Sequence, residues 1–388
     1  MIKLACKNIL KESGSLIMTQ RWTEEQANSW YAKLPWLRGC NFIGSDCANR
    51  FDMWQSHNAE KHLETAEREL ALCEKIGFNT VRIWLIFEAY HSEPEHFMEM
   101  VEKYLAICQG HGIRVMFVLA HEEFLPRGEV YHPTTVVGEQ TYYLGYHQGI
   151  KPLTEEERAK EPHHYFDYPE LQESFLQMIR SVVGKYANDE RVLCWNVLNE
   201  PGITLPQERS CELLRIFFDE ARKQNPSQPL CADIWRMPKD GELQTESEKL
   251  ALELSDVISF HCYSSPEKFA RFLRLMKSYN RPIFCTEWLH RVNHNDVKDI
   301  YPMLFLDNIA NYCWGFVVGK TQTNEPWNGL WDQYEADNNV DYDFTLWQHD
   351  LFRPNLRPYN PKEIKTIMAM NAEADRIWSK ELAERKEK

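Results

Sequence analysis

Apolar residues follow two alternating patterns along the chain. Short, nearly unbroken apolar runs occupy Arg38–Ile43 (RGCNFI), Thr80–Leu85 (TVRIWL), Ile113–Ala120 (IRVMFVLA), Val192–Leu198, Leu230–Trp235, Val257–Tyr263 (VISFHCY), Pro282–Glu287 and Cys313–Val318 (CWGFVV). Runs of this kind suit parallel strands buried on both faces. Between them the apolar positions recur at helical spacing, which predicts helices over Asn58–Gly77, Pro94–Gly110, Pro169–Tyr186, Glu208–Gln224, Glu246–Leu254, Pro266–Tyr279, Lys298–Tyr312 and from Pro361 to about Trp378. In the first of these Leu63, Ala66, Leu70, Cys73 and Ile76 share a face, and Gly77 supplies the stop. Eight strands alternating with helices predict an α/β fold of the parallel (β/α)8 barrel type, with a doubly wound open sheet as the alternative.

Two stretches break the rhythm. His121 to about Tyr168 follows the third strand and is too long for an idle connection. Its tyrosines and histidines (Tyr131, Tyr142, Tyr143, Tyr146, Tyr165, His163, His164) argue against plain disorder and fit either a substrate wall or an oligomer contact. A second long loop follows the eighth strand. Residues 1–20 are expected to form a loose extension, with Met18 a candidate start, and 21–388 a single barrel domain.

Composition narrows the function. A net charge of −14 argues against a nucleic-acid surface, which would call for a basic face. No apolar run reaches the roughly 20 residues of a membrane span, and the N-terminus lacks the apolar core of a signal peptide, so a cytoplasmic location is expected. The 11 cysteines are odd in number and sit in apolar patterns, as buried thiols do. Aromatics at 13%, with 13 tryptophans, call for a large core or a flat apolar ligand. HEEFL at His121 lacks the second histidine of a zinc motif, GFVVGKT at Gly315 is one residue short of a phosphate loop, and no C-x-x-C, G-x-G-x-x-G or G-x-S-x-G occurs. No cofactor or metal is expected; the oligomeric state stays open.

In a parallel barrel the chemistry sits at the C-terminal ends of the strands. There the sequence places Asn41, Arg82, Trp84, His121, Asn199, Glu200, His261, Tyr263, Glu287 and Trp288, with Lys320, Gln322 and Trp327 after the eighth strand. Glu200 ends WNVLNEPG and Glu287 ends PIFCTEW, so two strands each finish on a carboxylate. Glu200 taken alone reads equally well as a solvated turn residue. Arg82 has a duller reading as an interior salt bridge and Tyr263 as a buried phenol, and each histidine by itself reads first as satisfied polar packing, which leaves it a binding and not a catalytic role. Among the tryptophans, Trp84, Trp288 and Trp327 are the expected sugar-facing ones.

The Asn–Glu–Pro turn after strand four and the Thr–Glu–Trp end of strand seven resemble the clan of retaining (β/α)8 glycoside hydrolases that includes family 5 cellulases and mannanases and family 2 β-glycosidases. The stretches NFIGSDCANRFDMW and GKTQTNEPW are also similar to bacterial proteins labelled 1,4-β-xylanase or cellulase-like. The resemblance covers about Leu37 to Arg357. It implies Glu200 as general acid/base, Glu287 as nucleophile, Arg82 and Tyr263 beside the nucleophile, Asn199 on the sugar 2-hydroxyl, and His121 and His261 along the sugar pocket. The clan's tryptophan at the end of strand eight is replaced by Gly319–Lys320–Thr321, which leaves Trp327 as stacking residue or none. A retaining hydrolase needs carboxyl groups about 5–5.5 Å apart, one ionised to attack and one protonated to release the leaving group. The expected function is therefore cleavage of β-glycosidic bonds in oligo- or polysaccharides, with a catalytically silent carbohydrate-binding barrel as the alternative.

Overall fold

The apolar runs form nine parallel strand segments in the computed structural model, which describes residues 20–122, 136–152, 154–158, 164–337 and 339–386. These are β1 (Arg38–Asn41), β2 (Thr80–Trp84), β3 (Arg114–Val118), β4 (Val192–Asn196), β5 (Leu230–Cys231), β6 (Asp233–Ile234), β7 (Ile258–His261), β8 (Ile283–Trp288) and β9 (Ala310–Cys313). The hydrogen-bonded order runs from β5 through β4, β3, β2, β1, β9, β8 and β7 to β6. Since β5 and β6 are one strand interrupted at Ala232, the two ends of that order meet and the sheet closes into a (β/α)8 barrel.

Most helices lie where the periodicity places them. Pro94–Gly110 and Pro169–Lys185 each begin on a proline, whose missing N–H is no loss in a first turn. Helix Glu24–Tyr31 is fixed by a reciprocal capping box between Thr23 and Gln26. It plugs the bottom of the barrel, where Trp30, Tyr31 and Leu34 pack on the inward residues Met116, Cys194, Phe284 and Tyr312. The larger core lies between strands and outer helices, so the mouth at the other end is where polar groups collect.

The eighth strand lies earlier than its apolar pattern predicts. Helix Val297–Leu306 ends before Asn308, whose positive φ of 51° breaks the helix, and Ala310–Cys313 is already strand. The run Cys313–Val318 leaves the sheet at Gly315, where φ is 75° and an added Cβ would stand 2.5 Å from Asp350 Oδ1. Helices Phe87–Ser92 and Asn328–Ala336, inside connections read as loops, are additions. All the cysteines in the described residues are free thiols, and all but Cys211 are buried; Cys194 and Cys231 share a thiol–thiol hydrogen bond at 3.7 Å and not a disulfide. No described helix is long and apolar enough to cross a membrane. Residues 1–19 and 123–135, with Tyr131, and His163 lie outside the described residues.

Candidate active site

Glu287 owes its position to a bulge. Phe260 pairs with Cys285 and the next residue, His261, pairs with Glu287, so Thr286 is the extra residue on β8. Strict alternation would send Thr286 inward and Glu287 outward, but with the bulge both reach the interior. Thr286 Oγ1 donates to Asp233 Oδ1 at 2.8 Å, and Glu287 Oε1 accepts from Arg82 Nη1 at 2.7 Å. Trp288 is then the next residue outward. It is 1% exposed and stacks on Tyr301 of the outer helix layer at 5.7 Å, so it is core and not a sugar platform.

Glu200 sits on a strained turn. Its φ of 43° is in the left-handed region that a residue with a Cβ adopts at a cost of order 1–3 kcal/mol. The turn is held from below by Glu122, whose buried carboxylate accepts the backbone N–H groups of Gly202 (2.8 Å), Thr204 (3.0 Å) and Leu205 (3.0 Å). Trp235 Nε1 and Ser247 Oγ both donate to Pro201 O, at 3.2 and 2.9 Å. The sequence places Glu122 at the end of a strand, but nothing in its neighbours signals that it clamps a turn 80 positions on.

Between the two acids lies a buried polar network. Arg82, with no exposed surface, donates from Nη1 to Asn41 Oδ1 (2.8 Å) and Glu287, and from Nη2 to Asn199 Oδ1 (2.6 Å) and Asp233 Oδ2 (3.0 Å). Tyr263 OH donates to Glu287 Oε2 at 2.7 Å. His261 Nδ1 lies 2.7 Å from Glu200 Oε1 and 3.5 Å from Glu287 Oε2. An oxygen of Glu200 and one of Glu287 are within 4.8 Å of each other. Burial raises the Glu287 carboxyl above its ordinary value, against the pull of His261 and Arg82 and with the help of Glu200. Both its oxygens accept hydrogen bonds, from Arg82 and from Tyr263, as a carboxylate does. Burial opposes charge on His261, yet Glu287 and Asp233 raise it to about 10.

The remaining expected residues divide. His121 meets Trp84 edge-on at 5.2 Å and pairs with Asn199 as an isolated parallel bridge, so both belong to the mouth. The face of Trp84 is covered by the Arg50 guanidinium 3.6 Å from its ring, which leaves it 5% exposed. Trp327 packs edge-on to Tyr263 at 5.2 Å and donates to His147 Nε2 at 3.1 Å, at the rim beside the phenol that holds Glu287. Gln322 is a clamp: its Oε1 accepts Gly145 N at 2.6 Å and its Nε2 donates to Tyr143 O at 2.8 Å, so both ends hold the loop after β3. Lys320 places its amine 5.9 Å from the Tyr142 ring. Because β9 ends at Cys313, the residue that follows is Trp314, 6.0 Å from Trp84. A tryptophan therefore does stand at the end of strand eight, and only the misplaced strand hid it. Asp233 and Asn196, both fully buried, were also missed, because an acid and an amide inside apolar runs read as strand residues. One further cluster of metal-ligand type occurs among the described residues, Asp46, Cys47 and His62, where His62 Nδ1 and Asp46 Oδ2 at 2.9 Å pin the loop after β1.

The family model described as cellulase (glycosyl hydrolase family 5) matches residues 40–315. The chain belongs to glycosyl hydrolase family 5. It is thus a glycosidase, and Glu200, Glu287 and the polar network between them lie within the matched stretch. Solved structures of similar fold include a GH5_18 protein from Streptomyces cattleya in complex with Manb1-4GlcNAc, 13% identical, with a TM-score of 0.54 over 86% of this chain and 79% of that one. An endo-beta-1,4-mannanase from Thermotoga petrophila is 12% identical, with a TM-score of 0.52 over 87% and 77%. A glycoside hydrolase family 5 mannosidase from Rhizomucor miehei is 13% identical, with a TM-score of 0.51 over 89% and 94%. No curated protein matches the chain.

Proposed function

We propose that this family 5 protein is a retaining β-glycosidase working by double displacement, with Glu287 as nucleophile and Glu200 as acid and then base. The observation that carries the reading is the approach of the two carboxylates to within 4.8 Å. Inverting enzymes hold their acids about 6.5–9.5 Å apart to leave room for a water, and retaining ones about 5–5.5 Å. The asymmetry of the pair supports the roles. Glu287 is the more deeply buried acid and is oriented by Arg82 and Tyr263, as an attacking oxygen must be. Glu200 touches His261 and sits at the more open lip, where a leaving oxygen can reach it. Arg82 on Asn199 Oδ1 fixes that amide so that its NH2 is the group left to donate to a sugar hydroxyl.

The substrate class we propose is a β-linked hexoside in an oligo- or polysaccharide. Hydrolysis of an aryl β-glycoside panel by wild type, Glu200→Ala and Glu287→Ala tests it. Each replacement is expected to lower kcat at least roughly 10²-fold on the best sugar. Added azide should rescue Glu200→Ala with a β-glycosyl azide and Glu287→Ala with an α-glycosyl azide. Equal inertness of all three proteins on every sugar contradicts the proposal.

A further inference from the structure

Beneath the acid pair lies a carboxylate that the expected site did not contain. Asp233 has no exposed surface, and every hydrogen bond it makes is accepted. Oδ1 takes Ser259 Oγ at 2.6 Å and Thr286 Oγ1 at 2.8 Å; Oδ2 takes Asn196 Nδ2 at 2.9 Å and Arg82 Nη2 at 3.0 Å. A protonated carboxyl here would have to donate where four donors already point in, so Asp233 is a carboxylate. His261 Nε2 stands 3.4 Å from its Oδ1, an ion-pair contact whose N–H is not aligned well enough for a hydrogen bond, and that nitrogen meets no other acceptor.

We infer that Asp233 is a positioning residue for the proposed double displacement: it holds His261 doubly protonated beneath Glu200 and Glu287 through both steps. The charges require such a partner. Double displacement starts with Glu287 negative and a proton on Glu200; with Arg82 and His261 positive and Asp233 negative, the buried group is then neutral. When a Glu287 oxygen bonds to the anomeric carbon, the glycosidic C–O bond breaks and the departing oxygen takes the Glu200 proton. Glu287 loses its charge as Glu200 acquires one, and the group is neutral again. Water then gives its proton to Glu200 and its oxygen to the anomeric carbon, which frees Glu287 as carboxylate.

Were His261 neutral, a wholly or largely buried site would carry an uncompensated negative charge at both stages, the costly arrangement for ions out of water. The groups facing His261 are Glu200 from the turn after β4, Asp233 from β6 and Glu287 from β8. Arg82 from β2 is shared with two of these acids and so cannot serve both without help. Asp233 lies low on the already pKa-perturbed network: burial alone would raise it, and the charges of His261 and Arg82 hold it well below the usual carboxylate range.

The test uses the full chain with 15N-labelled histidine, the His261 signals being those lost in His261→Gln. Wild-type His261 is expected to carry protons on both ring nitrogens at about pH 8, where an unperturbed histidine is neutral. In Asp233→Asn its titration should fall by about one pH unit or more, with kcat lowered roughly tenfold or more and KM little changed. Ser259→Ala, which removes a hydrogen bond to the same carboxylate and leaves the charge, should keep the wild-type titration. A neutral wild-type His261 at that pH, an unshifted titration in Asp233→Asn, or an equal shift in Ser259→Ala overturns the inference. If Asp233→Asn does not fold, Asp233→Ser, which also removes the charge, makes the same comparison of the His261 titration. A protein inert on every glycoside with a charged, Asp233-dependent His261 would count against double displacement and not against the hold of Asp233 on the imidazolium.

Discussion

Arg82 shows how much of the site one side chain organises. It reaches both Asn41 and Asn199, two residues set on different strand ends, and it touches Glu287 and Asp233 at once. Truncating one member of a buried ion pair leaves the others charged and unpaired, which costs about 3–5 kcal/mol. Arg82→Ala is therefore expected to lower the urea-unfolding free energy by that order, and an unchanged midpoint would mean that the network relaxes around the gap. Sequence reasoning found Arg82 because the strand pattern sets it toward the C-terminal end of β2, where the chemistry of a parallel barrel collects. It did not find Asp233 for the same kind of reason in reverse: its strand is short and interrupted, and an isolated acid beside Ala232 carries no periodic signal. Trp288 was misjudged because an aromatic next to the proposed nucleophile was read by proximity along the chain, while alternation on a strand sends neighbours to opposite faces.

At the scale of elements, the two acids are placed by irregularities and not by the regular barrel. The Thr286 bulge turns Glu287 inward, and the Glu122 clamp holds the strained turn that carries Glu200. Neither device shows in a hydrophobic pattern, since both depend on partners far along the chain. Glu122→Ala strips three backbone N–H groups of their acceptor, and each such group left without one costs about 1–3 kcal/mol where water cannot replace it. Faster amide hydrogen exchange at Gly202, Thr204 and Leu205, with a fall in kcat, is the expected outcome. Exchange unchanged at those three amides would show that Trp235 and Ser247 hold the turn unaided. The displaced eighth strand belongs to this scale as well: the apolar run through Cys313–Val318 masked the turn at Gly315, and the helix stop at Asn308 was read through.

For the whole molecule, the barrel was legible because strands buried on both faces leave continuous apolar runs, and the helices between them carry their own period. Its closure was not visible in any one segment and came from the count of strands. The buried charges also tie the global stability to pH. His261 has a folded value near 10, above the ordinary histidine value, so its contribution is fully present below about pH 6.5 and is lost as pH rises through about 10. Chemical denaturation at a series of pH values should show stability declining across that window, with a shallower decline in His261→Gln; parallel curves would place His261 neutral in the folded protein.

The central claim, that two carboxylates this close act by double displacement, has a stereochemical signature. Proton NMR of the first product released from a β-glycoside substrate, recorded before mutarotation, reads it directly. The geometry predicts the β anomer at the outset, with the α anomer growing in only later; an α anomer formed first would contradict it.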